Sequence, residues 1–148
     1  MGDYSNLYSS VIRVTTDLIA EIRGKNLSQN LQYINWDAHV ENKEIPQTDL
    51  LGIRHFNVWP EDGGILQVGV GFGVSTHQDE NLFRHVAIID HVFEAMKKGK
   101  VYSLLEALSG DSVTFMKVME GTSVPPMYQT DTRQLQFVLV TFGTGATA

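Results

Sequence analysis

Histidine and acidic residues between positions 77 and 91 are the side chains that could support catalysis or bind a metal. Their order is His77, Asp79, Glu80, His85 and His91. Six residues turn a helix by about 600°, so His85 and His91 project in different directions and cannot share an ion as an i, i+4 pair does. The loop residues His77, Asp79 and Glu80 could hold a cation, but acidic residues before a helix are also common capping groups. Because this spacing is weak beside established ligand motifs, we predict no metal site and no cofactor.

The glycine-rich segment VGVGFG, residues 68–73, shares only its composition with a phosphate-binding loop. A phosphate loop ends in GK[ST], and a dinucleotide fingerprint lies between a strand and a helix; these glycines have neither feature. The chain also lacks the G-x-S-x-G pattern of a serine elbow. The sequence therefore contains no recognisable catalytic motif.

The composition of the chain excludes several classes of protein. With 148 residues, of which 43% are hydrophobic, the chain can bury one core, so we predict a single domain over residues 1–148. The absence of cysteine excludes disulfides and thiolate metal sites. A formal charge of -6 disfavours binding to nucleic acid, which requires clustered Lys and Arg. The N-terminus lacks a signal-peptide pattern and no segment is apolar enough to span a membrane, which predicts a soluble protein.

The segment from Ile65 to Ser75 is the strongest strand signal in the chain. One row of its side chains is apolar and consists of Leu66, Val68, Val70, Phe72 and Val74. The opposite row consists of Gln67, Gly69, Gly71 and Gly73. The glycine row leaves bare backbone that another element can approach closely. We expect either a helix of the same chain or a neighbouring subunit at Gly69, Gly71 and Gly73.

Two segments have the apolar spacing of helices. The first runs from about Ser5 to Arg23 and is followed by Gly24, a favourable residue just past a helix end. Its buried face is predicted to contain Leu7, Val11, Val14, Leu18 and Ile22. The second follows the polar run THQDEN and ends at Gly99. Its buried face is predicted to contain Leu82, Val86, Ile89, Phe93 and Met96.

Three more strands complete the predicted sheet, at Ile53 to Trp59, roughly Asp111 to Met119, and Arg133 to Phe142. The first is followed by Pro60 and the turn residues 61–64, which predicts a hairpin with the glycine-rich strand. The last alternates Leu135, Phe137 and Leu139 against Gln134, Gln136 and Val138. The order helix, hairpin, helix, hairpin predicts an α+β fold, with a mainly antiparallel sheet of about four strands and two helices packed on one face.

Residues 26–52 show no sustained period and are predicted to form mainly a long loop, with a short strand possible around Leu31, Tyr33 and Ile34. Loops of this length are often functional, which makes Trp36 a candidate contact with a partner. The alternative is that Trp36 caps the core of its own domain.

Residues 120–131 are predicted to form an extended, exposed arm, because its two prolines lack amide donors and disfavour regular pairing. The candidate contact residues on this arm are Pro125, Pro126, Met127 and Tyr128. The alternative is that Met127 and Tyr128 fold back onto their own domain.

The order and spacing of these segments resemble the tail terminator, or tail completion, proteins of long-tailed bacteriophages. The resemblance depends on the helix RVTTDLIAEI and on the strand LQVGVGFGVSTHQDE, which leads into the helix NLFRHVAIIDHVFEAMKKG. It continues with the strand SVTFMKVM, a variable loop and a last strand that opens with an arginine, DTRQLQFVLVTFG. These segments span most of the chain, and their order and spacing, rather than a strict motif, carry the likeness. Residues 26–52 match no part of the family pattern.

This resemblance implies a structural virion protein without enzymatic activity. It implies a ring, typically a hexamer, that caps the tail tube, stops its polymerisation and joins the tail to the head. The implied partners are further copies of this chain, the tail tube protein and the head-tail connector protein, with DNA passing through the lumen and no membrane contact. The implied location is the tail or neck of the virion, assembled in the host cytoplasm.

Two alternatives remain open from the sequence. Within the structural class, the chain could be another head-tail connector or a tail tube component. From a different class, it could be a small metal-dependent enzyme or a ligand-binding domain that uses the region from His77 to His85.

Overall fold

The computed structural model describes residues 3–38, 48–61, 65–77, 82–119, 121–130 and 133–144. Within these residues the chain forms two helices and seven strands. In chain order they are α1 (Asp3–Gly24), β1 (Gln32–Asn35), β2 (Leu50–Pro60), β3 (Leu66–His77), α2 (Phe83–Ala95), β4 (Val101–Leu105), β5 (Ser112–Val118), β6 (Tyr128–Gln129) and β7 (Arg133–Thr144). The turn residues 62–64 and the capping candidates Asp79 and Glu80 lie outside the described residues.

Helix α1 confirms the predicted helix and its buried face. The five predicted residues of that face all lie in the core. Two polar side chains of α1 also bind the end of β4 and the turn after it. Ser10 Oγ accepts a hydrogen bond of 2.8 Å from the Leu105 amide, and Asn6 Oδ1 accepts one of 2.9 Å from the Ala107 amide. The helix therefore satisfies main-chain donors that the sheet leaves without partners.

The described strands form one curled, mixed sheet. The order across the sheet is β1-β2-β3-β7-β5-β4, and β6 also pairs with β7. Strand β1 runs parallel to β2, whereas the other paired strands are antiparallel. The predicted α+β fold, with a mainly antiparallel sheet of about four strands and two helices on one face, is therefore wrong. The described part of the chain is mostly β, and its seven strands curl into a half-barrel.

Strands β4 and β6 were not predicted from the sequence, whereas β1 corresponds to the short strand considered possible around Leu31, Tyr33 and Ile34; all three strands are short. Strands β1, β4 and β6 contain 4, 5 and 2 residues. A strand this short forms because a longer neighbour supplies hydrogen bonds and packing, which its own residue pattern does not reveal. Strand β1 lies inside the predicted loop at 26–52, where residues 39–47 are outside the described residues. Strand β6 lies inside the predicted arm at 120–131.

Both helices share one core with the apolar row of β3. In that row Val68, Val70, Phe72 and Val74 are buried, as predicted, and Leu66 is half-buried against the same core. The buried residues at α2 and its C-cap are His85, Ile88, Ile89, Val92 and Met96. The prediction of Val86 as a core residue is wrong, because its side chain is 58% exposed. The helix is turned so that His85, rather than Val86, meets the sheet.

Candidate interaction surface

The glycine row of β3 lies on the side of the sheet that faces away from the helices. A Cβ atom built on Gly69 would lie 3.1 Å from the Trp59 ring, and one on Gly71 would lie 3.3 Å from Leu139 Cδ2. Side chains from the flanking strands, rather than the helix expected from the sequence, therefore cover these glycines in the described chain. The bare backbone lets large side chains lie flat on the sheet.

At Gly73 the covering side chain is Trp36, one of the predicted contact residues. Its indole Nε1 donates a hydrogen bond of 3.0 Å to the Gly73 carbonyl oxygen. The Phe137 ring lies beside it, with the Arg54 guanidinium carbon 5.2 Å from the ring centroid. Trp36 thus covers the sheet of its own chain while remaining half-buried at the surface.

We expect Gly73→Ala to destabilise the protein by about 2 kcal/mol, within the usual range for overpacking. The new Cβ would lie 2.6 Å from Trp36 Nε1 and 2.7 Å from Phe137 Cε1, so both rings must move. The control is Gly71→Ala, where the nearest atom is the flexible end of Leu139 and the expected change is within about 1 kcal/mol. Urea unfolding measures both, and equal losses at the two positions would contradict the assigned packing.

Exposed apolar side chains continue across this side of the sheet to its far edge. We call this area the outer sheet surface and define it by Val101, Val113, Phe115, Met119, Tyr128 and Leu139. Phe115 is 49% exposed and Leu139 is 43% exposed. Both belong to paired strands, since Phe115 of β5 lies opposite Ser103 of β4 and Leu139 of β7 forms a bridge with Ser123. Soluble proteins that expose contiguous apolar side chains commonly bury them against another molecule.

Most of these residues were not predicted as contacts, although the sequence contains a signal for those on β5. The segment SVTFMKV has apolar residues on both faces, because Val113 and Phe115 alternate with Met116 and Val118. Met116 and Val118 are buried, whereas Val113 and Phe115 are exposed. A strand with apolar residues on both faces indicates that something covers each face.

Four of the seven predicted contact residues on β3 and on the arm meet in one place, whereas Gly73, Pro126 and Met127 do not line it. An open depression of about 400 Å³ is lined by Gly69, Gly71, Pro125 and Tyr128, together with Arg54 and Leu139. Residues that are more than fifty positions apart in the sequence therefore contribute to the same part of the outer sheet surface.

The arm follows the edge of β7 instead of standing clear of the sheet. Ser123 forms a bridge with Leu139, and β6 pairs with the start of β7. The prediction that this segment avoids regular pairing is wrong at these two places. Pro125 and Pro126 lie between the Ser123 bridge and β6, in residues that do not pair with β7. Their missing amide donors therefore remove no hydrogen bond from the sheet. Tyr128 and Pro126 are exposed and Met127 is half-buried.

A chain of polar groups links this arm to the core through His85. His85 Nδ1 lies 2.8 Å from Thr76 Oγ1, and His85 Nε2 lies 3.2 Å from Gln136 Oε1. Gln136 Nε2 in turn donates a hydrogen bond of 3.1 Å to the Pro125 carbonyl oxygen. Burial lowers the pKa of His85, and the hydrogen bond to Gln136 opposes this only in part. A neutral ring suits the site, with Nε2–H donating to Gln136 and Nδ1 accepting from Thr76.

The amide of Gln134 completes this chain when its oxygen and nitrogen are exchanged. As placed, Gln134 Oε1 lies 3.0 Å from Thr76 Oγ1, and Gln134 Nε2 is buried without a partner among the described residues. The Thr76 hydroxyl has a single hydrogen and cannot donate to both His85 and Gln134. With the amide turned over, Gln134 Nε2 donates to Thr76 Oγ1, which leaves the Thr76 hydroxyl hydrogen for His85 Nδ1.

We expect acid to destabilise the protein through His85. The folded pKa lies below the ordinary value of 6.5, so the unfolded state binds the proton more tightly. His85 contributes its full share to the free energy of unfolding at pH values above its pKa in the unfolded state. Between that pKa and the lower pKa of the folded state, the free energy of unfolding decreases by about 1.4 kcal/mol for each unit by which the pH falls. Urea unfolding of the wild type and of His85→Gln, compared from pH 8 to pH 5, tests this. Equal pH dependence in the two proteins would contradict it.

A second polar group lies at the same end of the sheet, around Asp49. Its carboxylate accepts a hydrogen bond of 2.6 Å from Ser28 Oγ and one of 2.9 Å from Arg84 Nε. These residues line an open cavity of about 390 Å³, together with Thr48 and His77. The carboxylate of Asp49 is thus already bound by groups of its own chain, which favours a structural role over ligand binding.

Arg133, the arginine that opens the last strand, is buried beside this group. Its Nε donates a hydrogen bond of 2.8 Å to Ser75 Oγ, and its Nη2 donates to the main-chain oxygens of Thr48 and Ser75. Burial lowers the pKa of Arg133, and the charge of Asp49 opposes that effect. The arginine therefore joins the start of β7 to Thr48, just before β2, and to Ser75, near the end of β3.

The three histidines of the predicted catalytic region have separate surroundings. His77 lies 3.5 Å from Arg133, His85 is in the core, and His91 Nε2 lies 3.1 Å from Glu21. This confirms that His85 and His91 project in different directions. Among the described residues, no three His, Asp or Glu side chains lie close enough to hold a metal ion.

Neither described helix is both long and apolar enough to cross a membrane. Comparison with known proteins finds no protein family whose model matches this chain and no significant match to a curated protein.

Proposed function

We propose that this chain is a structural virion protein that forms a closed ring at the end of a phage tail tube, ends tail polymerisation and joins the tail to the head connector. The observation that carries the proposal is the outer sheet surface, where exposed apolar side chains extend over β4, β5 and β7. A surface of this kind is typical of a protein that binds other proteins. A ring that caps a tube must bind both copies of itself and the tube.

Two features of the sequence support the same function. The order of helices and strands resembles that of tail terminator proteins, including the arginine at the start of the last strand, which serves here as a buried anchor. The formal charge of -6 also suits a channel that DNA must pass without binding, since phosphate groups are held by clustered cations.

Another head-tail connector or a tail tube component would use the same surface, because such proteins also bind copies of themselves. The position on the tail separates these functions. A terminator is found at one end of the tube, whereas a tube component is found along its whole length.

Electron microscopy of the purified protein, alone and mixed with tail tubes, tests the proposal. We expect rings of one size in the protein alone, and rings at one end of each tube in the mixture. Mass photometry gives the number of subunits, which for closed symmetry is the same in every particle. A protein that stays monomeric at high concentration and does not bind tube ends would rule the proposal out.

The variant Leu139→Ser links the test to the outer sheet surface. We expect it to fold normally, since the Leu139 side chain is 43% exposed, but to form fewer rings than the wild type. The control is Leu108→Ser, which replaces an exposed leucine in the turn between β4 and β5. Equal ring formation by both variants would show that Leu139 lies outside the assembled surfaces.

A further inference from the structure

Helix α2 presents a second exposed apolar stripe, on the opposite side of the molecule from the outer sheet surface. One face of α2 is buried against β3 and β7, whereas Phe83, Val86 and Asp90 are exposed on the other. These residues are three and four positions apart, so they follow one another along a single face of the helix. The stripe begins with two apolar side chains and continues with a carboxylate.

Strand β5 presents a matching row on the outer sheet surface. Val113, Phe115 and Lys117 are exposed, whereas Thr114 between them is half-buried and Met116 is buried, so the three exposed residues follow one another on one face of the strand. This row also begins with two apolar side chains, but it continues with an ammonium group.

The two rows match in spacing as well as in chemistry. Val86 and Asp90 are four residues apart on a helix, which is about 6 Å along its axis. Phe115 and Lys117 are two residues apart on a strand, which is about 6.6 Å. Neither Asp90 nor Lys117 forms a salt bridge with another described residue. A helix lying along the strand can therefore place apolar side chains together and oppose the two charges.

We infer that α2 of one subunit lies along β5 of the next, in the same direction, with Val86 on Phe115 and Asp90 paired with Lys117. This inference rests on the proposed ring and identifies the surfaces that join its subunits. Because α2 and the exposed row of β5 lie on opposite sides of the sheet, the contact is head-to-tail. A head-to-tail contact adds subunits in one rotational sense and closes into a ring when the rotation allows it.

Charge reversal at either residue tests the contact. We expect Asp90→Lys and Lys117→Asp to fold with melting temperatures within about 3 °C of the wild type, since both side chains are exposed. Each variant alone places two like charges at every contact, so the concentration needed for rings should rise about tenfold or more. The control is Asp17→Lys, an exposed reversal on α1 that should leave ring formation unchanged.

Mixing the two variants gives a sharper test. An Asp90→Lys subunit has a normal β5 row, and a Lys117→Asp subunit has a normal α2 stripe. In a ring where the variants alternate, each contact again joins opposite charges. We expect the equimolar mixture to form rings at the wild-type concentration, and native mass spectrometry to find equal numbers of the two variants in each ring.

The outcomes separate this inference from the function on which it rests. Wild-type rings that neither reversal weakens would overturn the inference and leave the proposed ring intact. Weakened rings that the mixture does not restore would also overturn it, because the two residues would then belong to different contacts. A wild-type protein that forms no ring, alone or on tubes, would overturn both.

Discussion

Replacing Gly52 with alanine is expected to destabilise the protein more than any other substitution considered for this chain, by about 4 kcal/mol. Gly52 lies in β2, between Ile34 of β1 and Gly73 of β3. A Cβ atom at this position would overlap the main-chain carbonyl oxygen of Ile34. Overpacking usually costs about 1 to 3 kcal/mol, and the upper end is exceeded here because main chain, rather than a side chain, must move.

Urea unfolding measures the change, with Gly24→Ala as the matched control. Gly24 ends α1, and a Cβ atom there would have no neighbour within 4 Å. We expect the control to differ from the wild type by less than about 0.5 kcal/mol. If Gly52→Ala is as stable as Gly24→Ala, then β1 does not lie against β2 as described.

Replacing Arg133 with methionine is expected to destabilise the protein by about 3 kcal/mol. Methionine keeps much of the volume but removes the donors that bind Ser75 and Thr48. Those oxygens are then left at a buried site without the charged group that satisfied them, and hydrogen bonds to charged groups contribute about 1.5 to 3 kcal/mol each.

The control for this change is Arg54→Met, which removes an exposed guanidinium that lies over the Phe137 ring. An exposed cation–π contact contributes about 0.5 to 1 kcal/mol, so the loss should be smaller. Urea unfolding of the two variants under the same conditions compares them directly. Equal losses would mean that Arg133 does not join the start of β7 to Thr48 and Ser75.

Sequence patterns predicted the long elements because each shows its period within its own residues. The three-and-four spacing in α1 and the strict alternation in β3 extend over several repeats, and the apolar rows of both are buried except for Leu66, which is half-buried. The glycine row also indicated a close approach correctly. It could not indicate what approaches, because Trp36, Trp59 and Leu139 come from separate parts of the chain.

The inward faces of α2 and β7 were not predictable by the same means. Strand β7 has leucine and phenylalanine on one side and two glutamines on the other, but Gln134 and Gln136 are the ones that face His85 and the core. Gln134 forms a hydrogen bond with Thr76 and Gln136 forms one with His85, and only the folded sheet brings these groups together. Val86 is exposed for the same reason, since the helix is turned to bring His85 into this group.

The outer sheet surface was predicted in part. Gly69, Gly71, Pro125 and Tyr128 were candidates from the sequence and meet in one depression. Phe115 and Val113 were not candidates. An apolar row on a strand looks the same in the sequence whether it is exposed at a surface or buried in a second layer of the same chain. The short strands β1, β4 and β6 contain too few residues to show a period of their own, although β4 and β6 pair with strands that follow closely in the chain.

The central position of β7 has a consequence for how the protein is made. It is the last described strand in chain order, yet it joins the β2–β3 hairpin to the β4–β5 hairpin in the middle of the sheet. During translation, both hairpins leave the ribosome before the strand that connects them, with edges open to other nascent chains. Formation of the complete sheet must therefore wait until residue 144 has emerged, and long-range pairing of this kind is typical of proteins that fold slowly, in about milliseconds to seconds.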